Sequence, residues 1–426
     1  MESSLKIRMF NFDIVIVGAG IAGLYCGIEL AKKGKSVCIL EKYSYLGGRV
    51  VTYHQGKISW ENGAGRISDS HRLVHSLLKR YGLKTYPLSE KQLFIDEDGS
   101  QSINTFPTLF QPILKEISNL PSDILSNTTL EQIMEKTYGV KKAHALLAEF
   151  PYRAEVSVLR ADLAIKAFTN TGEMSSYGGY SVVVGGLSLL IQAMANEFKK
   201  HGGIIKMGYE MIGISQNDKH TKVAIECRVD RRSADVIYAN QVILALHAAA
   251  LKSCPDTRHF PPLKHLVMKP LLRTYAIFPI ENGSSWFVDL ERCVTAGPIR
   301  YFIPIDVKKG VAMVSYTDAD DAEFLMKKLE KEGEEALGQF IVGELRAMFP
   351  SRYIPNYLFF KAHPWYSGCT YWTPGDYDPQ RLSKEVMHPD KYLPSVYVCG
   401  ESFSLKQAWM EGALEHASDM LKKYFV

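Results

Sequence analysis

"DIVIVGAGIAGLYCGIELAKKGKSVCILEK", residues 13–42, decides the fold. The apolar run 14–17 is short, β-branched and stopped by glycine, which reads as a buried strand. Residues 21–33 carry apolar side chains at helical spacing and stop at Gly34. "SVCILEK" (36–42) is a second apolar strand. Strand, turn, helix and strand make a βαβ unit with a parallel pair. The turn holds Gly18, Gly20 and Gly23 in the spacing G-x-G-x-x-G, with Ala22 inside it. Gly18 permits the tight turn, Gly20 lets the backbone approach a pyrophosphate, and Gly23 lets the helix pack on the strand. The helix start offers N–H groups and a positive dipole end. Glu41 ends the second strand, with Lys42 beside it, and accepts hydrogen bonds from ribose hydroxyls. An acid there disfavours a 2′-phosphate, so FAD or NAD is expected rather than NADP.

Further along, the texture changes and then returns. "SHRLVHSLLKRYGL" (70–83) predicts a helix capped by Ser70 or Asp69, and "KQLFIDEDGSQSI" (91–103) a hairpin turning at Asp98-Gly99. Residues 109–167 read as helices separated by Pro121, Gly139 and Pro151. The nucleotide-fold pattern resumes at "VVVGGLSLLIQAMANEFKKHGG" (182–203) and continues to the buried strand "QVILALHAAAL" (241–251). Residues 265–316 are strand-rich, and 322–349 read as helical. "SVYVCGES" (395–402) is a last buried strand feeding a closing helix at 409–424. The expected domains are therefore a discontinuous first one, 9–90, 182–255 and 380–426, and a second one, 91–181 and 256–379.

Composition excludes several classes. The 426 residues are 46% hydrophobic and 23% charged, ordinary for a globular chain. A net charge of +4 gives no argument for nucleic acid or an anionic membrane. Seven scattered cysteines without a C-x-x-C pair form neither a zinc nor a disulfide framework, and no metal is expected. Reduced thiols, no signal-peptide stretch and no run of about twenty apolar residues predict a soluble cytoplasmic protein without membrane association.

"EKYSYLGGRV" (41–50) places Gly47, Gly48 and Arg49 just after the acid. This resembles the flavin-containing amine oxidases, whose motif reads roughly E-x(6)-G-G-R. Three more blocks extend the resemblance: "WENGAGRISDSHRLVHSLLKRYGL" (60–83), "GGLSLLIQAMANEFKKHGGIIKMGYEMIGI" (185–214) and "YVCGESFSLKQAWMEGALEHA" (397–417). The resemblance implies an α/β fold: a discontinuous FAD-binding Rossmann-like domain of the glutathione-reductase type, with an α+β substrate domain. It implies that Arg49 contacts the diphosphate, that Gly63, Ala64, Gly65 and Arg66 pass the flavin ring, and that Met211 lies beside the adenine. Gly400 and Glu401 would reach the ribityl chain. Ala408, Trp409 and Met410 would sit at the pyrimidine end, where a helix N-terminus stabilises negative charge.

The resemblance also implies the reaction. A hydride passes from a C–N carbon to flavin N5, the imine hydrolyses, and oxygen, the expected electron acceptor, becomes hydrogen peroxide. Trp409 would form one aromatic wall at the flavin face. The opposite wall would come from "WYSGCTYWTPG" (365–375), where Gly368 departs from the family and Tyr371 or Trp372 would compensate. Cys369 is out of register with the cysteine that holds flavin covalently in some relatives, so FAD is expected to be non-covalent. In "VMKPLLRTYAIFP" (267–279), Arg273 stands where many members carry a lysine near N5; Lys269 would point elsewhere. Arginine holds a water but has no accessible neutral form.

"GAGRI" resembles L-amino-acid oxidases most closely, which implies that Arg66 binds a substrate carboxylate. A planar guanidinium matches a carboxylate bidentately. Tyr301 in "RYFIP" would assist with its hydroxyl. Alternatives are that Arg66 pairs with an internal acid or the flavin, or that Arg273 takes the carboxylate. Other functional readings are an amine or polyamine oxidase, a desaturase-like flavoprotein and a non-catalytic flavin holder. The expected partner is a small-molecule amine or amino acid, with a homodimer as the assembly.

Overall fold

The computed structural model describes residues 11–89, 91–169, 179–216, 222–230 and 233–426. Residues 1–10, 90, 170–178, 217–221 and 231–232 lie outside them, so the expectation about a signal peptide falls outside the described residues. The chain divides into two compact units. One draws on 1–88, 178–266 and 378–426, the other on 89–177 and 267–377.

The first unit is built on β1 (Asn11–Val17), α1 (Ile21–Lys32) and β2 (Val37–Glu41). Every residue of β2 is buried, as expected of a parallel strand covered on both faces. β2 and β1 pair in parallel, flanked by Ile204–Met207 on one side and Ser233–Leu244 on the other. The long strand Ser233–Leu244 pairs antiparallel with Val223–Val229, and its end pairs in parallel with Val396–Val398. The sheet thus gathers strands from the start, middle and end of the chain. Its core packs α1, the helix Ser188–Lys200 and the closing helix Met410–Tyr424 around Ile39, Leu24, Phe198 and Leu414.

The helix α2 (Arg72–Arg80) starts later than the sequence predicts. His71 is its cap residue and no side chain of its own segment caps it. Ser68 and Ser70 hydroxyls bond each other instead, 3.0 Å apart. The free N–H groups of Leu73 and Val74 go to the Glu411 carboxylate of the closing helix, at 2.9 and 3.0 Å. An acid at a helix N-terminus complements its dipole, here from a distant segment.

The boundaries of the expected domains move, most clearly at two places. The strand Tyr180–Val183 pairs with Ile67–Ser68 and Thr85–Pro87, which brings 179–181 into the first unit. Residues 256–266 stay there too: Lys252 donates to the Leu266 carbonyl at 2.6 Å, and His259 meets Asp390 at 2.7 Å.

The second unit holds the hairpin Gln92–Ile95 and Gln101–Ile103, the helices from Phe106 to Phe168, and a seven-stranded, largely antiparallel sheet. The run 322–349 is not one helix. Gly333, at φ +88°, divides Ala319–Glu332 from Glu334–Met348. Both helices bury apolar faces around Phe278, Phe302, Leu325, Ile341 and Phe349. No helix among the described residues is long and apolar enough to cross a membrane.

Candidate active site

The glycines of the first turn have different causes. Gly18 sits at φ +104°, and a Cβ there would lie 2.6 Å from the Ala245 carbonyl oxygen. A Cβ on Gly23 would lie 2.0 Å from the Gly18 carbonyl oxygen. Protein packing therefore demands both. Gly20 is different: its φ is −72°, and a Cβ would meet nothing nearer than the Gly47 carbonyl oxygen at 4.0 Å. A Cβ on Gly48 would find only Gly20 Cα, 3.7 Å away, although its φ of +60° also favours glycine. Gly20 is the cap residue of α1 and supplies no side-chain cap to the first N–H groups of the helix, which α-helical bonding leaves without an intrahelical partner.

Glu41 is buried at the end of β2 and accepts from the Ala19 and Tyr43 N–H groups at 2.8 and 2.9 Å. Burial raises its carboxyl pKa above the usual range, against the opposing pull of those N–H groups. A carboxylate has more than two acceptor positions, so ribose remains within its capacity. Lys42 is half-exposed and ion-paired to Glu210 at 2.7 Å. Met211 lies at a register shift between Met211 and Gly213, where the ladder to Val223–Val229 is interrupted.

Across the same unit, Arg49 donates to Glu401 at 2.7 Å, and Glu401 also accepts from the Ala408 N–H at 2.8 Å. Ala408 is held at φ +67°, a left-handed conformation that costs an alanine about 1 kcal/mol. This turn sets up Trp409 as the cap residue of the closing helix and Met410 as its first residue. Gly400, at φ +135°, makes the turn into Glu401. The Ala64 N–H donates to the Arg49 carbonyl at 2.8 Å, which fastens Gly63-Ala64-Gly65 alongside the Arg49 segment.

Arg66 follows at once. Its guanidinium carbon lies 4.9 Å from the Tyr180 ring centroid and 5.6 Å from that of Trp409. The two rings are nearly parallel, 10° apart, with centroids 6.2 Å apart. His71 meets Trp409 edge-on, with centroids 5.0 Å apart. Its Nδ1 accepts from the Ser68 N–H at 3.2 Å, which puts the ring proton on Nε2. Burial pushes the His71 pKa down to about 3, so it adds no charge beside Arg66.

Arg273 and Tyr301 belong to the other unit. Arg273 is buried with its guanidinium carbon 4.4 Å from the Tyr316 ring centroid. Burial alone would lower its pKa, but Tyr316 and Tyr275 more than offset this and raise it. It is a fixed cation and not a base. Tyr301 is 1% exposed and its hydroxyl donates to Gln92 at 3.4 Å. Tyr152 links the group, 6.2 Å from Tyr301 and 5.2 Å from Tyr316 between centroids.

Gly368 itself cannot supply the second aromatic wall expected at 365–375. A Cβ on Gly368 would lie 2.6 Å from Leu271 Cβ and 3.1 Å from the Lys269 carbonyl oxygen, so close strand approach excludes any side chain. Tyr371 and Trp372 are both buried within the second unit. Among the described residues of the first unit, the Tyr180 ring stacks on Trp409.

Residues 21–419 match the sequence pattern of the flavin containing amine oxidoreductases. The chain belongs to this family. An L-amino acid oxidase of Cerastes cerastes is 22% identical over 460 aligned positions, covering 94% of this chain and 84% of that protein. An L-amino-acid oxidase of Demansia vestigiata is 24% identical over 357 positions, covering 74% and 67%. A putrescine oxidase redesigned in its cofactor binding superposes with a TM-score of 0.76 at 16% identity, covering 98% of this chain and all of that one. The last likeness shows the shared flavin amine oxidase fold.

As a flavin containing amine oxidoreductase, the chain acts on small-molecule amines and takes FAD without a covalent bond. Its residues fit that cofactor, because Gly20 is a glycine for which neither packing nor backbone gives a reason. Two neighbours of this site escape the sequence reading. His247, with its pKa lowered to about 4 chiefly by burial and next by Arg49, lies near the Arg49–Glu401 pair. Tyr180 is the other, and it carried no motif; only its pairing with Ser68 brings it to Arg66.

Proposed function

We propose that this flavoprotein oxidises the C–N bond of an L-amino acid and that Arg66 binds the α-carboxylate. The observation that carries the reading is the placement of the Arg66 guanidinium against Tyr180 and Trp409, within the unit that holds the nucleotide turn. The family relatives that are L-amino-acid oxidases support it.

FAD, when bound, supplies the hydride acceptor. The chain's own contribution is to fix the substrate. Arg66 takes the carboxylate through two parallel N–H···O bonds, which leaves the α-carbon with few orientations. Trp409 and Tyr180 cover the guanidinium and keep water from competing for it. Neutral His71 leaves Arg66 without an added like charge from that ring. The α-carbon loses a hydride and the amino group a proton, and water hydrolyses the imine to an oxo acid and ammonia. Molecular oxygen then takes up two electrons and two protons, giving hydrogen peroxide.

The test is anaerobic bleaching of the flavin absorbance by single L-amino acids and by their decarboxylated amines. Amino acids are expected to bleach it and the amines not. A charged hydrogen-bond pair is worth roughly 1.5–3 kcal/mol, so Arg66→Ala should weaken amino-acid binding by about ten- to a hundredfold. Bleaching by the amines alone, or an unchanged affinity in Arg66→Ala, overturns the reading.

A further inference from the structure

We infer that Tyr180 is a positioning residue for Arg66: with Trp409 it braces the guanidinium, and the two rings do not form a slot for the substrate. The inference rests on the carboxylate reading above. It begins with register. Ser68 pairs with Tyr180 and Ile67 with Ser181 in an antiparallel ladder. Extending that ladder by one residue sets Arg66 opposite Val182, so Tyr180 lies on the diagonal. Side chains at diagonal positions of one face are within reach of each other when one is long and the other aromatic. The 4.9 Å cation-to-ring distance is the outcome.

Spacing excludes the alternative. A planar group between two parallel rings needs carbon contacts of about 3.5 Å on each side, or about 7 Å in all. The Tyr180 and Trp409 centroids are 6.2 Å apart, and Arg66 already lies against both. Trp409 is itself held from another direction by His71. The rings therefore fix where the fork of Arg66 points. A cation over an aromatic face is attracted by the ring's quadrupole, which is enough to set an affinity.

The experiment titrates the FAD-loaded protein with benzoate, a carboxylate with no amine to oxidise, and follows the flavin visible spectrum. Wild type is expected to bind it, Tyr180→Phe to bind within twofold, Tyr180→Leu about tenfold more weakly, and Arg66→Ala not measurably. Should Tyr180→Leu lose its flavin, Tyr180→Met makes the same test. As a second readout, Tyr180→Leu should raise KM for the amino acid while kcat stays within a factor of a few. Equal benzoate binding in Tyr180→Leu and wild type, with Arg66→Ala defective, overturns this inference alone. Loss in Tyr180→Phe equal to that in Tyr180→Leu also overturns it, because the hydroxyl and not the ring would then be acting. A wild-type protein whose spectrum ignores benzoate overturns the carboxylate reading and this inference together.

Discussion

A glycine can be required by its own chain or by something the chain binds, and the first turn separates the two. Gly18 and Gly23 are fixed by backbone geometry and packing, whereas Gly20 has room for a methyl group. Gly20→Ala should therefore leave the melting temperature of the apoprotein within about 2 °C of wild type. Overpacking against a ligand costs about 1–3 kcal/mol, so FAD should bind about ten- to a hundredfold more weakly. An FAD affinity equal to wild type, measured by flavin fluorescence quenching, would refute this account of the turn. The glycine motif and Glu41 were legible because their spacing along the chain is local. Arg66 was legible as an anomaly, a long cation after Gly-Ala-Gly. Tyr180 was not, because its partner is more than a hundred positions away and nothing near it in sequence marks it. Tyr301 shows the same limit: nothing near it in sequence marks Gln92, more than two hundred positions away, as the acceptor of its hydroxyl.

Elements, in contrast, were legible in kind more than in their ends. The helical periodicity of 322–349 is real, yet Gly333 divides it, since φ +88° is a conformation that periodicity cannot register. Nothing lies within 4 Å of where a Cβ on Gly333 would stand, so Gly333→Ala has only backbone strain to bear. That strain is about 1–2 kcal/mol, read as a lower urea midpoint at unchanged slope. A midpoint equal to wild type would mean the two helices tolerate a continuous connection. The start of α2 shows a second limit. A search for its cap among Asp69 and Ser70 looks in the wrong place, because the acceptor is Glu411 from the other end of the chain. Helix caps supplied by a distant side chain leave no trace in the local sequence.

At the scale of the whole molecule, several buried histidines make the fold sensitive to acid. Burial holds His416 and His363 down at about 4, and His71 at about 3. Unfolded histidines titrate near 6.5, so as pH falls through 6.5 the unfolded state gains protons first and stability is lost until about pH 4. The slope is about 1.4 kcal/mol per pH unit per histidine. Buried carboxyls with raised pKa, Glu41 and Glu411 among them, act in the opposite sense. The clean measurement is therefore a difference: His416→Gln should lose less stability than wild type between pH 6.5 and 4.5, by about one proton's worth of slope. Parallel curves would show that His416 is already protonated in the folded protein. The two-unit organisation was legible because the nucleotide-fold texture breaks off and returns; the boundary residues were not, because strand pairing and ion pairs decide them. That interleaving has a consequence for how the protein is made. The strand Val396–Val398 adds to the same sheet as β1, and Glu401 and Ala408 complete the turn around Arg49. A ribosome therefore releases the glycine turn hundreds of residues before the partners that finish its neighbourhood. During that interval the nascent chain carries half of this site, and the segment from Val396 to Ala408 acts as the clasp.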